Sequence, residues 1–91
     1  MSSANNLTFT GCQFTYSSAI TLDAKVTNIL VENCTFSGSA FRIYKNTPQP
    51  ENLRLISNTY KGSKLVSPDT GIDYEGWKAA GAWIEEGNIK K

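Results

Sequence analysis

Arg42 and Tyr44 stand two residues apart in an alternating stretch, a spacing that puts both side chains on one face of a strand. Asn46 follows closely, and Asp23 and Lys64 take outward positions in the stretches that read as equivalent before and after it. An aromatic ring beside a guanidinium, a carboxylate and an amide is a set that can hold a sugar. The ring covers an apolar sugar face while the polar groups bind hydroxyls. Tyr16, in a turn of the first repeat, is a second aromatic of this kind. The expected binding residues are therefore Tyr44, Arg42, Asp23, Asn46, Lys64 and Tyr16. The plainer reading of the same residues is a solvated polar face on which Tyr44 merely ends a strand.

Catalysis has less to stand on. The chain contains no histidine, which removes Ser-His-Asp and Cys-His chemistry and every histidine-containing metal site within it. No two carboxylates recur at outward positions one repeat apart, as a calcium site or a glycosidase pair would require. Cys12 and Cys34 have no neighbouring base in sequence and read as small buried apolar side chains. Two cysteines are also too few for a tetrahedral zinc site or a disulfide framework. No catalytic residue, metal ligand or cofactor is expected.

The 91 residues are enough for one small domain. Nine Lys/Arg against eight Asp/Glu leave a formal charge of +1, and charged residues make up only 19% of the chain. That balance argues against a disordered tail and gives no electrostatic reason to expect nucleic acid as a partner. The longest apolar run, Ile29-Leu30-Val31, is far too short to span a membrane. The first residues lack the basic and apolar regions of a signal peptide.

The elements that would position these residues come from an internal repeat. Residues 6–14, 28–36 and 52–60 align, their first residues Asn6, Asn28 and Asn52 being 22 and then 24 residues apart. The second position holds Leu7, Ile29 and Leu53; the fourth holds Phe9, Val31 and Leu55. The seventh holds Cys12, Cys34 and Asn58, and the ninth Phe14, Phe36 and Tyr60. Apolar residues alternate within each copy, which is the period of a half-buried strand. A second short alternating stretch follows each copy, with Ile20, Phe41 and Leu65 pointing inward, and Thr21, Arg42 and Val66 outward. Short strands at this period, with no helix between them, describe coils of a parallel β-solenoid. Phe14, Phe36 and Tyr60 would then stack in one ladder, and Cys12, Cys34 and Asn58 in another.

Two segments carry a family likeness: Val31-Glu32-Asn33-Cys34-Thr35-Phe36 and Leu55-Ile56-Ser57-Asn58-Thr59-Tyr60. Each is an aliphatic strand, a turn residue, then Thr and an aromatic. On them the chain resembles the right-handed parallel β-helix, pectate-lyase-like proteins, which include polysaccharide lyases, certain glycosidases and phage tailspikes. The likeness covers residues 6 to about 68 and is most like a short C-terminal piece of a tailspike. It implies an all-β fold: a β-helix of about three coils starting near 6, 28 and 52, after an N-terminal extension of residues 1–5. Residues 69–91 would form a C-terminal capping segment. There Trp77, Ala80 and Ile84 share one helical face, with Asp73 as N-cap and Gly87 as stop, so a short helix is expected.

Three functions compete. The first, implied by the likeness, is a non-enzymatic module of tailspike or receptor-binding type that binds cell-surface polysaccharide or supports assembly, located in a virion tail. Family tailspikes are trimers, and Leu30 and Ile56, outward and apolar, with Trp83, would form the interface of a homotrimer. The second is a fragment of a polysaccharide lyase or hydrolase, for which the required acids are missing. The third is a small stand-alone phage-encoded inhibitor that binds a host protein in the host cytoplasm.

Overall fold

Alternating apolar residues set the strands, and residues in the left-handed region set the bends between them. The computed structural model describes residues 4–15, 20–62 and 64–91. Along the chain run β1 (Ala4–Thr10), β2 (Gln13–Phe14), β3 (Ile20–Leu22), β4 (Val26–Glu32), β5 (Thr35–Phe36) and β6 (Phe41–Ile43). They are followed by β7 (Glu51–Ile56), β8 (Thr59–Tyr60), β9 (Val66–Pro68), α1 (Tyr74–Ala79), β10 (Trp83–Glu86) and β11 (Ile89–Lys90). The strands β1-β4-β7-β10 form one sheet, β2-β5-β8-β11 a second and β3-β6-β9 a third. All of these pairings are parallel.

The repeat fixes the register of the first two sheets. Leu7 pairs with Ile29 and Ile29 with Leu53; Phe14 pairs with Phe36 and Phe36 with Tyr60. The rings of Phe14 and Phe36 stack at 4.8 Å with an interplanar angle of 4°. Inward residues of the three sheets, among them Leu22, Ile29, Val31, Phe36, Phe41, Leu53 and Leu55, are fully buried in one core. Each such side chain contributes about 1.5–3 kcal/mol by leaving water.

Two rows of bends repeat with the strands. Gly11, Asn33, Ser57 and Gly87 follow β1, β4, β7 and β10, with φ of +63°, +54°, +54° and +64°. Asn6, Asn28 and Asn52 also have positive φ, which asparagine tolerates better than most side chains. Their amides form a ladder: Asn52 Nδ2 donates to Asn28 Oδ1 at 3.0 Å, and Asn28 Nδ2 to Asn6 Oδ1 at 2.9 Å. A second, buried ladder runs through the seventh position of the repeat. Asn58 Oδ1 accepts the Cys34 N–H at 2.9 Å, while its Nδ2 donates to Val31 O at 3.0 Å and Asn88 Oδ1 at 2.9 Å.

The expected right-handed parallel β-helix, a solenoid of about three coils, is corrected by this topology. The chain forms three separate short parallel sheets of four, four and three strands stacked on a common core. The third sheet stops at β9, after which the chain forms α1 and then adds one strand to each of the other two sheets. Residues 83–90 extend two of the sheets. Trp83 pairs with Leu53 and Ile89 with Thr59, so β10 and β11 are sheet strands.

The expected helix over 73–87 is likewise cut short. Asp73 is its N-cap, with Oδ1 accepting the Gly76 N–H at 3.0 Å. Gly81, at φ +76°, turns the chain out of the helix after Ala79 and back towards the sheet. Trp77 is buried, and Trp83, only 1% exposed, is the centre of an aromatic cluster. Phe41 and Tyr74 meet its ring edge-on at 5.4 Å, and Trp77 lies at 6.1 Å.

Candidate binding site

The third sheet positions the polar residues singled out in the sequence. Thr21, Arg42 and Ser67 pair across β3, β6 and β9. One residue beyond the outward row's next inward position, the chain still runs in step: Tyr44 N–H donates to Leu22 O and Asp69 N–H to Ile43 O, both at 2.9 Å. Asp23, Tyr44 and Asp69 therefore occupy equivalent places. Asp69 is the residue that the sequence reading left beyond the repeats, and it organises the site.

Asp69 Oδ1 accepts from Arg42 Nε at 3.1 Å and Nη2 at 2.8 Å, and Oδ2 accepts the Lys45 N–H at 3.0 Å. The Arg42 guanidinium lies over the Tyr44 ring at 5.2 Å from its centroid. A cation against the negative face of an aromatic ring is attractive by about 0.5–1 kcal/mol at such exposed sites. Arg42 is thus held between a carboxylate and a ring, and Tyr44 remains 42% exposed. Beside this group opens a cleft of about 340 Å³ lined by Lys45, Asn46, Thr47, Thr70, Gly71, Ile72, Asp73 and Trp77. Two turns form its walls, closed by Thr47 N–H to Tyr44 O at 3.1 Å and Ile72 N–H to Asp69 O at 3.2 Å. Asp69 joins them by its bond to Lys45. Thr47 is buried, and its Oγ1 donates to Leu22 O or Tyr44 O, 3.0 and 2.6 Å away.

Of the expected binding residues, Tyr44, Arg42 and Asn46 come together, and Asp23 stands at the position equivalent to Tyr44. Lys64 does not join them. The sequence reading aligned Leu65 with Phe41, but Val66 is Phe41's partner and Val66 points inward. Leu65 O accepts from both Ala40 N–H at 2.9 Å and Phe41 N–H at 3.1 Å, so two residues at the entry to β6 face one leading into β9 where the register begins. Lys64 is exposed two residues before β9, while the site lies past the strand's end. Tyr16 lies outside the described residues.

The expected trimer face is also not continuous. Leu30 pairs with Thr8 and Arg54, whereas Ile56 pairs with Glu32 and Glu86, so the two belong to different rows and each row carries charge. Trp83 is buried and presents no surface for an interface.

The arrangement can hold a polar ligand. Both oxygens of Asp69 are engaged, and the cleft offers amide, hydroxyl, ammonium and carboxylate groups beside an aromatic ring. Among the described residues, no three His, Cys, Asp or Glu side chains gather as a metal site would need. Cys12 and Cys34 are free thiols, and burial pushes the Cys34 thiol above its ordinary pKa of 9.0. Compared with known proteins, the chain matches no protein family, no curated protein and no solved structure.

Proposed function

We propose that the chain is a non-catalytic module that binds cell-surface polysaccharide at the Tyr44–Arg42 face and its adjoining cleft. This is the receptor-binding role that the likeness to tailspikes implied. The observation that supports it is an exposed tyrosine under a clamped arginine, next in sequence to the residues that line a polar cleft. A sugar bound there lays an apolar face along the free part of the Tyr44 ring. Its hydroxyls meet Asn46, Thr70, Lys45 and Asp73, donors and acceptors that a flat polyol can satisfy together.

The test is calorimetric titration with oligosaccharides from bacterial capsules and lipopolysaccharide O-antigens. Binding is expected for at least one of them, with Tyr44→Ala weakening it tenfold or more (about 1.4 kcal/mol). Lys64→Ala, away from the cleft, leaves it unchanged. No binding to any member of the panel, or equal binding by Tyr44→Ala with its circular dichroism intact, overturns the proposal.

A further inference from the structure

The two ends of the stacked sheets differ in chemistry. At the end formed by β9, β10 and β11, the outer strands carry Pro68, Glu85, Glu86 and Lys90, and α1 packs on β10. Proline, charge and a covering helix are the devices by which proteins keep a sheet edge from pairing with another chain. At the opposite end, formed by β1, β2 and β3, the strands themselves carry none of them among the described residues. They contain no charged residue and no proline, and the nearest charge in sequence is Asp23 just past β3.

That end is also incompletely buried. Leu7 is 37% exposed, whereas Ile29 and Leu53, its equivalents in the next two repeats, are 0% exposed. Phe9, Cys12 and Phe14 pack on the core but remain only partly covered. The asparagine ladder ends there too, because the Asn6 amide accepts from Asn28 and has no partner for its own donors among the described residues. The backbone of β1 leaves donors open. Gly11 N–H points at Glu32 O of the next repeat, 3.3 Å away, so by strand alternation the amides of Thr8 and Thr10 point out of the end.

We infer that this end docks a second copy of the chain, head to head about a two-fold axis, with β1 pairing antiparallel to β1 of the partner. Head-to-tail stacking in register would set Phe9 against Glu85 and Phe14 against Lys90, which offer no apolar complement, and would leave only Leu7 facing an apolar residue, the buried Trp83. A two-fold contact instead places the apolar surface against its own copy and leaves both charged ends outward. The assembly closes at two chains and does not grow into a fibre. The two smaller extents of the molecule, 26 × 23 Å, bound an end face of at most roughly 600 Å² per partner, which puts such a pair at the low end of specific interfaces.

Light scattering on a gel-filtration column, from micromolar to near-millimolar chain, tests this on the full chain. The expected mass is twice the 10.0 kDa of one chain. Two variants should give the single-chain mass with unchanged circular dichroism. Leu7→Lys places a charge in the contact, and Thr8→Pro removes an outward amide without touching the β1–β4 pairing. Should either variant misfold, hydrogen exchange of the unaltered chain decides, since the Thr8 and Thr10 amides become protected only as the dimer forms. A single-chain mass at the highest concentration, a trimer or open polymer, or a dimer that survives both variants overturns the inference.

Discussion

Replacing Asn58 by alanine should cost more stability than any other single change outside the apolar core, and the structure shows why. Asn58 is fully buried, and its amide satisfies three partners at once: Cys34 N–H, Val31 O and Asn88 Oδ1. Alanine leaves the Cys34 N–H and the Val31 carbonyl without their side-chain partner inside the molecule. Each buried polar group left unpaired costs about 1–3 kcal/mol, so the loss is about 4 kcal/mol. Asn88 loses less, because its Oδ1 keeps the Asn58 N–H at 3.0 Å and its Nδ2 keeps Leu55 O at 2.9 Å. Against a total of about 5–15 kcal/mol for a domain, that is about a quarter or more of the stability. Asn58→Cys should be milder, at about 1–2 kcal/mol. The repeat already accommodates a thiol there: Cys34 Sγ lies 3.4 Å from Glu32 O and 3.6 Å from Phe9 O, as a weak donor. Urea unfolding followed by the fluorescence of Trp77 and Trp83 measures both. An Asn58→Ala loss below about 1 kcal/mol, or a cysteine variant less stable than the alanine one, would refute the reasoning.

Two other substitutions probe other parts of the frame. Burial raises the Glu85 carboxyl above its ordinary pKa of 4.5, so the folded chain holds that proton more tightly than the unfolded one. Its stabilising contribution is then full below 4.5 and is lost as pH rises through the raised value. Glu85→Gln, which keeps an acceptor for Trp83 Nε1, should therefore raise the urea midpoint at neutral pH and leave it nearly unchanged in acid. An equal shift at both would refute the linkage. Ser57, at φ +54° in a row otherwise held by Gly11, Asn33 and Gly87, pays the Cβ penalty of the left-handed region. Ser57→Gly should stabilise by about 0.5–1 kcal/mol with an unchanged denaturant slope, and a loss of stability would show that the bend is not strained.

Much of the frame was legible because the repeat states its own register. Asn6, Asn28 and Asn52 mark one bend row, and Cys12, Cys34 and Asn58 mark the buried ladder. The alternation between them identifies Ile29, Val31, Leu53 and Leu55 as core. The fourth passage was not legible, because it keeps so few of the marker positions. At them Ala82 stands for asparagine, Glu85 for Leu55 and Lys90 for an aromatic, leaving Trp83 and Asn88 as the only signs. A helical reading of Trp77, Ala80 and Ile84 won instead, although Gly81 interrupts it. The error in the third sheet has a different cause. Leu65 and Val66 are adjacent and both buried, so alternation could not say which one faces the core in register with Phe41. That one-residue ambiguity moved Lys64 into the expected site and Asp69 out of it. The opposite charges of Arg42 and Asp69 were the available clue, since a carboxylate one repeat away is what an outward arginine needs.

The proposed binding face and the proposed docking end are carried by different strands but border each other, since Thr21 of β3 pairs with Arg42 of β6, and this proximity would matter for polysaccharide recognition. Tyr44, Arg42 and the cleft are held by β6, the 45–47 turn and the 69–73 turn, whereas the contact with a second copy uses β1, β2 and β3. One shallow cleft, open to solvent and facing a hydrated ligand, gains little net energy from each hydrogen bond, because water offers the same partners. Affinity for a repeating polymer can come instead from engaging two clefts on one strand, where the second contact is intramolecular. A closed two-fold pair supplies that second cleft at a fixed distance, while its charged outer ends prevent further growth. The asymmetry between the two ends would thus let a chain of this size gain avidity without risking aggregation along its exposed strands.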